Sequence, residues 1–535
     1  MWWMLPAFAA PDLLLLHGDV WTMDPARPRA AAIAVEDGAI VALGDDLRAL
    51  AGPETRVVDL GGRVVLPGFV DAHLHPVEGG LELAGCPLFD APDREALLTT
   101  LAGCEGRGWL EGTGWALPIF PPAGPTRQEL DAVTGDRPAL LWAADGHSAW
   151  VNTAALRRAG VDADTPDPPG GRIERAADGS PSGTLREAAM DLVAAHLPAP
   201  SAAALDAGLA RAVALANRHG ITSVLEACAD PAGLGAWLRA ERRGLTLRAT
   251  VALCTDEARG PEQVAALRRQ RARATGPLVR VDTAKIFADG VLEARTAAML
   301  QPYTDAPPAE LAVPEERLVA LVRALAGAGF GVHVHAIGDR AVRATLDAMA
   351  AARADGAQTP FSVAHLEVVD PADRPRFRAL DVAAVFQPLW AWPDEYVRDL
   401  TWPGLDPALH QALYPIGSVL RAGAVVGFGS DWSVSSLVPL EGVEVAVTRR
   451  GPDGGEALGP EEAIGLDEAL RAYTAGAARA IGRQDEAGVL AVGRPADLVV
   501  LTAEPRVGRV SDVAATLFGG RVVWSDGTVV GLGGR

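Results

Sequence analysis

Val64-Val-Leu-Pro-Gly-Phe-Val-Asp-Ala-His-Leu-His-Pro76 is a strand-like apolar run that ends in polar residues, Asp71, His73 and His75. Side chains alternate along a strand, so His73 and His75 share a face and both imidazoles can reach one ion. Working outward, seven more strand-like runs follow the one at 64–71, at 221–226, 245–253, 279–287, 330–336, 361–366, 382–387 and 424–430. Amphipathic stretches such as 202–218, 314–327 and 339–352 separate them. Eight such alternations predict an α/β fold built on a closed (β/α)8, TIM-like barrel. The apolar run at 139–144 falls outside the count. It lies within 77–200, a segment with many Pro, Gly and Trp residues that is expected to be an insertion after strand 1.

Polar residues that end barrel strands gather at the C-terminal mouth, where barrel active sites are built. The sequence holds ten histidines and two His-x-His pairs, more pairs than chance supplies. The second pair, His333-Val-His335, ends the fifth run; His365 ends the sixth and Asp431 the eighth. Lys285, in the fourth, is the only lysine of the chain, every other basic side chain being arginine. Arginine stays protonated in a protein, whereas a buried lysine loses its proton and becomes a nucleophile. A neutral lysine amine forms a Schiff base with a carbonyl, or captures CO2 as a carbamate and becomes an anionic oxygen ligand. Metal ligands elsewhere decide between the two.

The 535 residues exceed one ordinary core, and 49% apolar content is ample for burial. A net charge of −20, without a basic run, argues against a nucleic-acid partner and an anionic membrane surface and for a small-molecule substrate. Cys86, Cys104, Cys228 and Cys254 form no CxxC pair and are expected to be free buried thiols in a reducing, cytoplasmic setting. The first ten residues, Met-Trp-Trp-Met-Leu-Pro-Ala-Phe-Ala-Ala, have no basic n-region and read as a loose extension. Short β runs punctuated by Gly and Asp occur at 13–17, 31–35, 39–43, 56–59 and 64–66, and again at 488–490, 497–501 and 521–524. The expected organisation is therefore a composite β-sandwich from 1–66 and 487–535 around a barrel at 67–486.

Leu66-Pro-Gly-Phe-Val-Asp-Ala-His-Leu-His75, a lysine on strand 4, histidines on strands 5 and 6 and an aspartate on strand 8 resemble the amidohydrolase superfamily. The chain is most similar to the YtcJ-like (amidohydrolase 3) branch, which includes N-substituted formamide deformylases. The motifs that carry this are Gly146-His-Ser-Ala-Trp-Val-Asn152, Lys285-Ile-Phe-Ala-Asp-Gly290 with Arg295-Thr-Ala, Val334-His-Ala-Ile-Gly-Asp-Arg-Ala341 and Gly429-Ser-Asp-Trp432. The resemblance implies that His73, His75 and Asp431 hold one metal ion, His335 and His365 a second, and a CO2-derived carbamate on Lys285 bridges them. Imidazole and carboxylate suit two Zn2+ ions and tolerate Mn2+ or Fe2+. Asp431 is then the catalytic general acid/base, and His147, Trp150, Asp289, Arg295 and His333 are expected to face or support the substrate. Family members often place Glu directly before the strand-6 histidine, where this chain has Ala364.

These residues imply a hydrolase of non-peptide C–N bonds acting on an N-acyl or N-formyl amide, and the family admits a homodimer. A mononuclear deaminase or decarboxylase with an unmodified Lys285 keeps the same fold, as does a non-catalytic metal-stabilised binding protein. A Schiff-base lyase leaves five candidate ligands without work. Trp109, Trp115, Trp142, Trp150, Trp390, Trp392 and Trp432 hint at an aromatic or bulky apolar substrate.

Overall fold

The computed structural model describes residues 10–89, 91–104, 108–508 and 511–532; the N-terminal extension, apart from Ala10, lies outside them. Eight parallel strands form one curved sheet: β1 (Phe69–Leu74), β2 (Ile221–Ala229), β3 (Arg248–Cys254), β4 (Val279–Phe287), β5 (Gly331–Ala336), β6 (Phe361–His365), β7 (Val382–Phe386) and β8 (Val425–Phe428). Each pairs with the next in sequence order. The ring is drawn together between its first and last strands, where the Asp431 N–H donates to the His73 carbonyl at 2.7 Å and the Ser430 N–H to Asp71 Oδ1 at 3.0 Å. The protein is thus an α/β barrel of the TIM type, as the alternation of runs predicts.

The helices around it follow the amphipathic stretches. Ala202–Arg218 starts at Ser201, whose hydroxyl accepts the Ala204 N–H, and it buries Leu205, Leu209, Ala212 and Ala216. That stripe faces the barrel and recurs at the three- and four-residue intervals of a helix face. Glu315–Gly327 and Asp339–Ala354 cover the outside of β5 in the same way.

The strand expected at 64–71 is two strands. Val64–Pro67 pairs with Leu498–Leu501 and Asp19–Trp21 in a terminal sheet, and only Phe69–Leu74 enters the barrel. Pro67 and Gly68 make the break. A Cβ on Gly68 would lie 2.2 Å from Thr222 Oγ1, so only glycine lets the chain cross β2 this closely. The termini build two sheets. A four-stranded one comes from Leu13–Leu16, Ala32–Glu36, Ala39–Gly44 and Arg56–Asp59, and a six-stranded one mixes Asp19–Trp21, Arg29–Ala30 and Val64–Pro67 with Leu498–Leu501, Val513–Phe518 and Arg521–Ser525. Leu13, Leu15, Ile33 and Val35 of the first share a core with Val65, Leu498, Val500 and Leu517 of the second.

Between β1 and β2 lies a third, separate sheet, in the order Gly171–Arg175, Pro181–Glu187, Ser148–Val151, Ala139–Ala143, Leu110–Trp115, Cys86–Pro87. The 139–144 run is therefore outside the barrel. The expectation of free thiols is overturned: Cys86 pairs with Cys104 and Cys228 with Cys254. Partners 18 and 26 residues apart are joined by the fold, which brings the ends of β2 and β3 side by side, and the free-thiol argument for a reducing compartment falls with them. No helix among the described residues is long and apolar enough to cross a membrane.

Candidate active site

A cavity of about 380 Å³ opens at the C-terminal ends of the barrel strands, and His73, His75, Lys285, His335, His365 and Asp431 all line it. Lys285 precedes the end of β4 by two residues; in β5 the register sets it beside His333 and sets Phe287 beside His335. His365, Leu366 and Asp431 adopt left-handed backbone, with φ of 77°, 57° and 53°. Such conformations are costly for non-glycine residues and persist where surrounding structure fixes them; here they aim two side chains into the mouth.

His73, His365 and Asp431 each offer a ligand atom, and these atoms lie within 4.8 Å of one another. Asp431 is the hub, with His75 Nε2 3.2 Å from Oδ1, His73 Nε2 3.5 Å from Oδ1 and His365 Nδ1 3.7 Å from Oδ2. Both ring nitrogens of His365 and Oδ1 of Asp431 are buried without a hydrogen-bond partner. Buried polar atoms are nearly always satisfied, and one divalent cation with nitrogen and oxygen preference would satisfy this set together. The residues therefore fit a metal. His75 adjoins this group through Asp431, and its other ring nitrogen, Nδ1, lies 4.0 Å from Glu226.

Burial, reinforced by neighbouring cationic groups, holds His73, His333, His335 and His365 well below the usual histidine range, so the rings are neutral, and those of His73, His335 and His365 are suited to be ligands. At His75 burial acts the same way, but the Asp431 carboxylate prevails and the ring is pushed up. Burial pulls the Lys285 amine down to about 7, against the pull of Asp431 and Glu257. Its Nζ lies 3.4 Å from His73 Nε2 and 4.7 Å from the centre of the Phe287 ring. This is the environment that makes a lysine nucleophilic.

Of the five residues expected at the substrate, only His147 lines the cavity. Its Nδ1 lies 2.9 Å from Glu187 Oε2; burial disfavours its charge, yet Glu187 wins and pushes the pKa up to about 9. His333 stands behind His73. Its Nε2 and His73 Nδ1 share a hydrogen bond of 2.7 Å, and its Nδ1 meets Ser362 Oγ at 2.7 Å, which fixes His73 with Nε2 toward the mouth. Asp289 is engaged elsewhere, accepting the N–H groups of Ile337, Gly338 and Ala298, and it braces the loop after β5. Arg295 makes a two-pronged pair with Asp305 and donates to the Leu400 carbonyl, so its guanidinium is held by the protein's own acceptors away from the cavity lining. Trp150 is buried against Trp115 and Phe120 and donates to the Thr126 carbonyl; it is core of the inserted sheet. Only Trp142 and Trp390 of the suspected tryptophans line the cavity.

Several contributors were not foreseen. Glu226, in β2, accepts from the Trp237 indole at 2.9 Å and stands beside His75; burial pushes it up to about 7. Asp71 accepts the His73 N–H at 3.1 Å as well as that of Ser430, tying β1 to β8 beneath the ligands. Its place two residues before His73 was the visible signal. Asp145, Glu293, Glu367 and Asp394, from the inserted sheet and the loops after β4, β6 and β7, form an acidic wall. Burial, with Asp145 and Asp394 adding to it, pushes Glu293 up to about 7.

A sequence model described as the amidohydrolase family matches residues 56–530. Putative amidohydrolase YtcJ of Bacillus subtilis is 30% identical over 91% of this chain and 94% of its own length. N-substituted formamide deformylase of Arthrobacter pascens is 29% identical, covering 92% and 94%. Protein LONG AFTER FAR-RED 3 of Arabidopsis thaliana is 30% identical, covering 96% and 91%. Among solved structures, an uncharacterized metal-dependent hydrolase from Pyrococcus horikoshii superposes with a TM-score of 0.74 at 25% identity, over 92% of this chain and 98% of that one.

Proposed function

The chain belongs to the amidohydrolase family, and on that premise we propose that it hydrolyses an N-acyl or N-formyl amide outside peptides. The observation that carries this reading is the convergence at one cavity of buried nitrogen and oxygen atoms that lack partners, with Asp431 at their centre. His73, His75, His335, His365 and Asp431, with Lys285 as a carbamate, would hold two divalent ions, Zn2+ or its Mn2+ or Fe2+ equivalents. Such ions, when bound, lower the pKa of water toward about 7 and polarise a carbonyl.

The chain's own groups supply the rest. The neutral Lys285 amine adds to CO2 and releases one proton to solvent, leaving an N-carboxylate where an arginine would remain a cation. Asp431 takes the proton of the attacking water and passes it to the departing nitrogen, so the amine leaves neutral and the acid is formed. His147, kept charged by Glu187, offers its remaining N–H to the substrate oxygen as negative charge builds there. Asp71 holds the His73 backbone and His333 its ring, and Glu226 stands beside the His75 ring. The deformylase relative supports the choice of amide.

The test is to load the protein with zinc or manganese and assay a panel of N-formyl and N-acyl amines for released amine. Metal-dependent release from at least one class is expected; metal-replete protein that cleaves none of them refutes the reading. One observation favours a second reading, a mononuclear enzyme: the three-ligand group joins His73, His365 and Asp431 directly, with the Lys285 amine beside it. One ion per chain together with ammonia release would select it.

A further inference from the structure

Apart from the proposed metal ligands, the ionisable side chains lining the cavity are almost all acidic: Glu78, Glu82, Asp145, Glu293, Glu367 and Asp394. Among the described residues no arginine lines it, and the remaining cation, His147, is committed to Glu187. Glu367 is 2% exposed, and its Oε2 has no hydrogen-bond partner. A carboxylate oxygen buried without a partner is costly and is tolerated where a ligand completes it. A metal does not answer for this wall, because the only group of three or more candidate ligands close enough to share an ion, among the described residues, is His73, His365 and Asp431. Among the described residues no three of these carboxylates lie close enough to share one small ion, which leaves them to a larger organic cation. Aromatic surface accompanies them: Trp390 lies flat on His365, with ring centres 5.7 Å apart and planes 3° from parallel, and Tyr396 and Tyr414 line the same cavity. Acidic and aromatic groups together are the recognition chemistry of ammonium ions.

We propose that the substrate carries a positively charged organic group, an ammonium or guanidinium, which Glu293, Glu367 and Asp394 bind while Trp390 and Tyr414 pack on its apolar part. The inference rests on the amide-hydrolase reading for the reaction and goes beyond it in naming the substrate's charge. Glu367 and its neighbours act here as specificity-determining residues.

The experiment compares two amides of nearly equal shape on the metal-loaded protein: N-acetyl-1,4-diaminobutane, which is cationic, and N-acetyl-pentylamine, which is neutral. The expected kcat/KM ratio is about 100 in favour of the cation, because the neutral amide leaves buried carboxylates unpaired. Glu367→Gln and Asp394→Asn should each lower that ratio by about tenfold, chiefly through KM; if one variant fails to fold, the other and Glu293→Gln carry the comparison. A ratio near one, or a ratio unmoved by the folded variants, overturns the proposal. If neither amide is cleaved, the hydrolase reading fails on its own, and the cation site is decided by calorimetric titration with choline and with its uncharged isostere 3,3-dimethylbutan-1-ol. Choline cannot ligate a metal through its nitrogen. Binding of choline alone supports the site, and equal or absent binding of both overturns it.

Discussion

Arg449 and Lys285 are both buried, at 0% and 1% exposure, and what surrounds them could hardly differ more. The Arg449 guanidinium donates to the carbonyls of Leu458, Tyr414 and Leu413 at 2.7, 3.1 and 2.9 Å, and burial pulls its pKa only to about 10, so it stays a cation. Lys285 has one imidazole nitrogen at 3.4 Å and an aromatic ring, and at about 7 its amine is poised between charged and neutral. The histidines repeat the contrast: His333 has both nitrogens occupied, His365 neither. Burial is common to structural and reactive groups here. Unfilled valence separates them.

The largest expected effect is at Lys285. Lys285→Arg keeps a cation but cannot form the carbamate, and kcat for the best amide should fall about a thousandfold or more. Full activity in the purified variant would erase the distinction between the two sites. Next is Arg449→Met, which strands three buried carbonyls and should cost about 3 kcal/mol in urea unfolding, with a smaller loss of turnover per folded molecule than at Lys285. Unchanged stability would mean that the guanidinium is not the brace its contacts describe.

The smallest effect concerns the His147–Glu187 pair, which joins both kinds of behaviour in one place. The folded-state pKa of His147 is raised from 6.5 to about 9, so its contribution to stability is fully present below pH 6.5 and is lost as pH rises through about 9. Wild type should therefore lose about 1–3 kcal/mol more than His147→Gln between pH 6 and pH 10. Parallel pH profiles of the two proteins would show that Glu187 does not hold the ring charged.

What the sequence revealed follows the same division. Polar residues that interrupt apolar strands at their ends stand out against a regular background, so His73, His75, Lys285, His335, His365 and Asp431 were visible, and the structure gathers them in one cavity. Trp150, Asp289 and Arg295 lie in the same motifs but serve packing and loop bracing, and a motif does not state which way a side chain is used. The acidic wall was invisible because its members come from loops and the inserted sheet, where no periodicity relates one position to another. Val513–Phe518 was missed because Val-Ala-Ala-Thr-Leu-Phe does not alternate and five of its six residues are buried. The cysteine pairs depended on which elements the fold makes neighbours, which spacing alone does not encode.

Elemental analysis of purified wild type and His365→Asn, each measured beside its amide hydrolysis, tests the main claim most directly. Two divalent ions per chain are predicted in wild type, with the loss of at least one ion and of most activity in the variant, because His365 is the ligand whose nitrogens have no other partner. A variant with the wild-type metal content and rate would contradict the account.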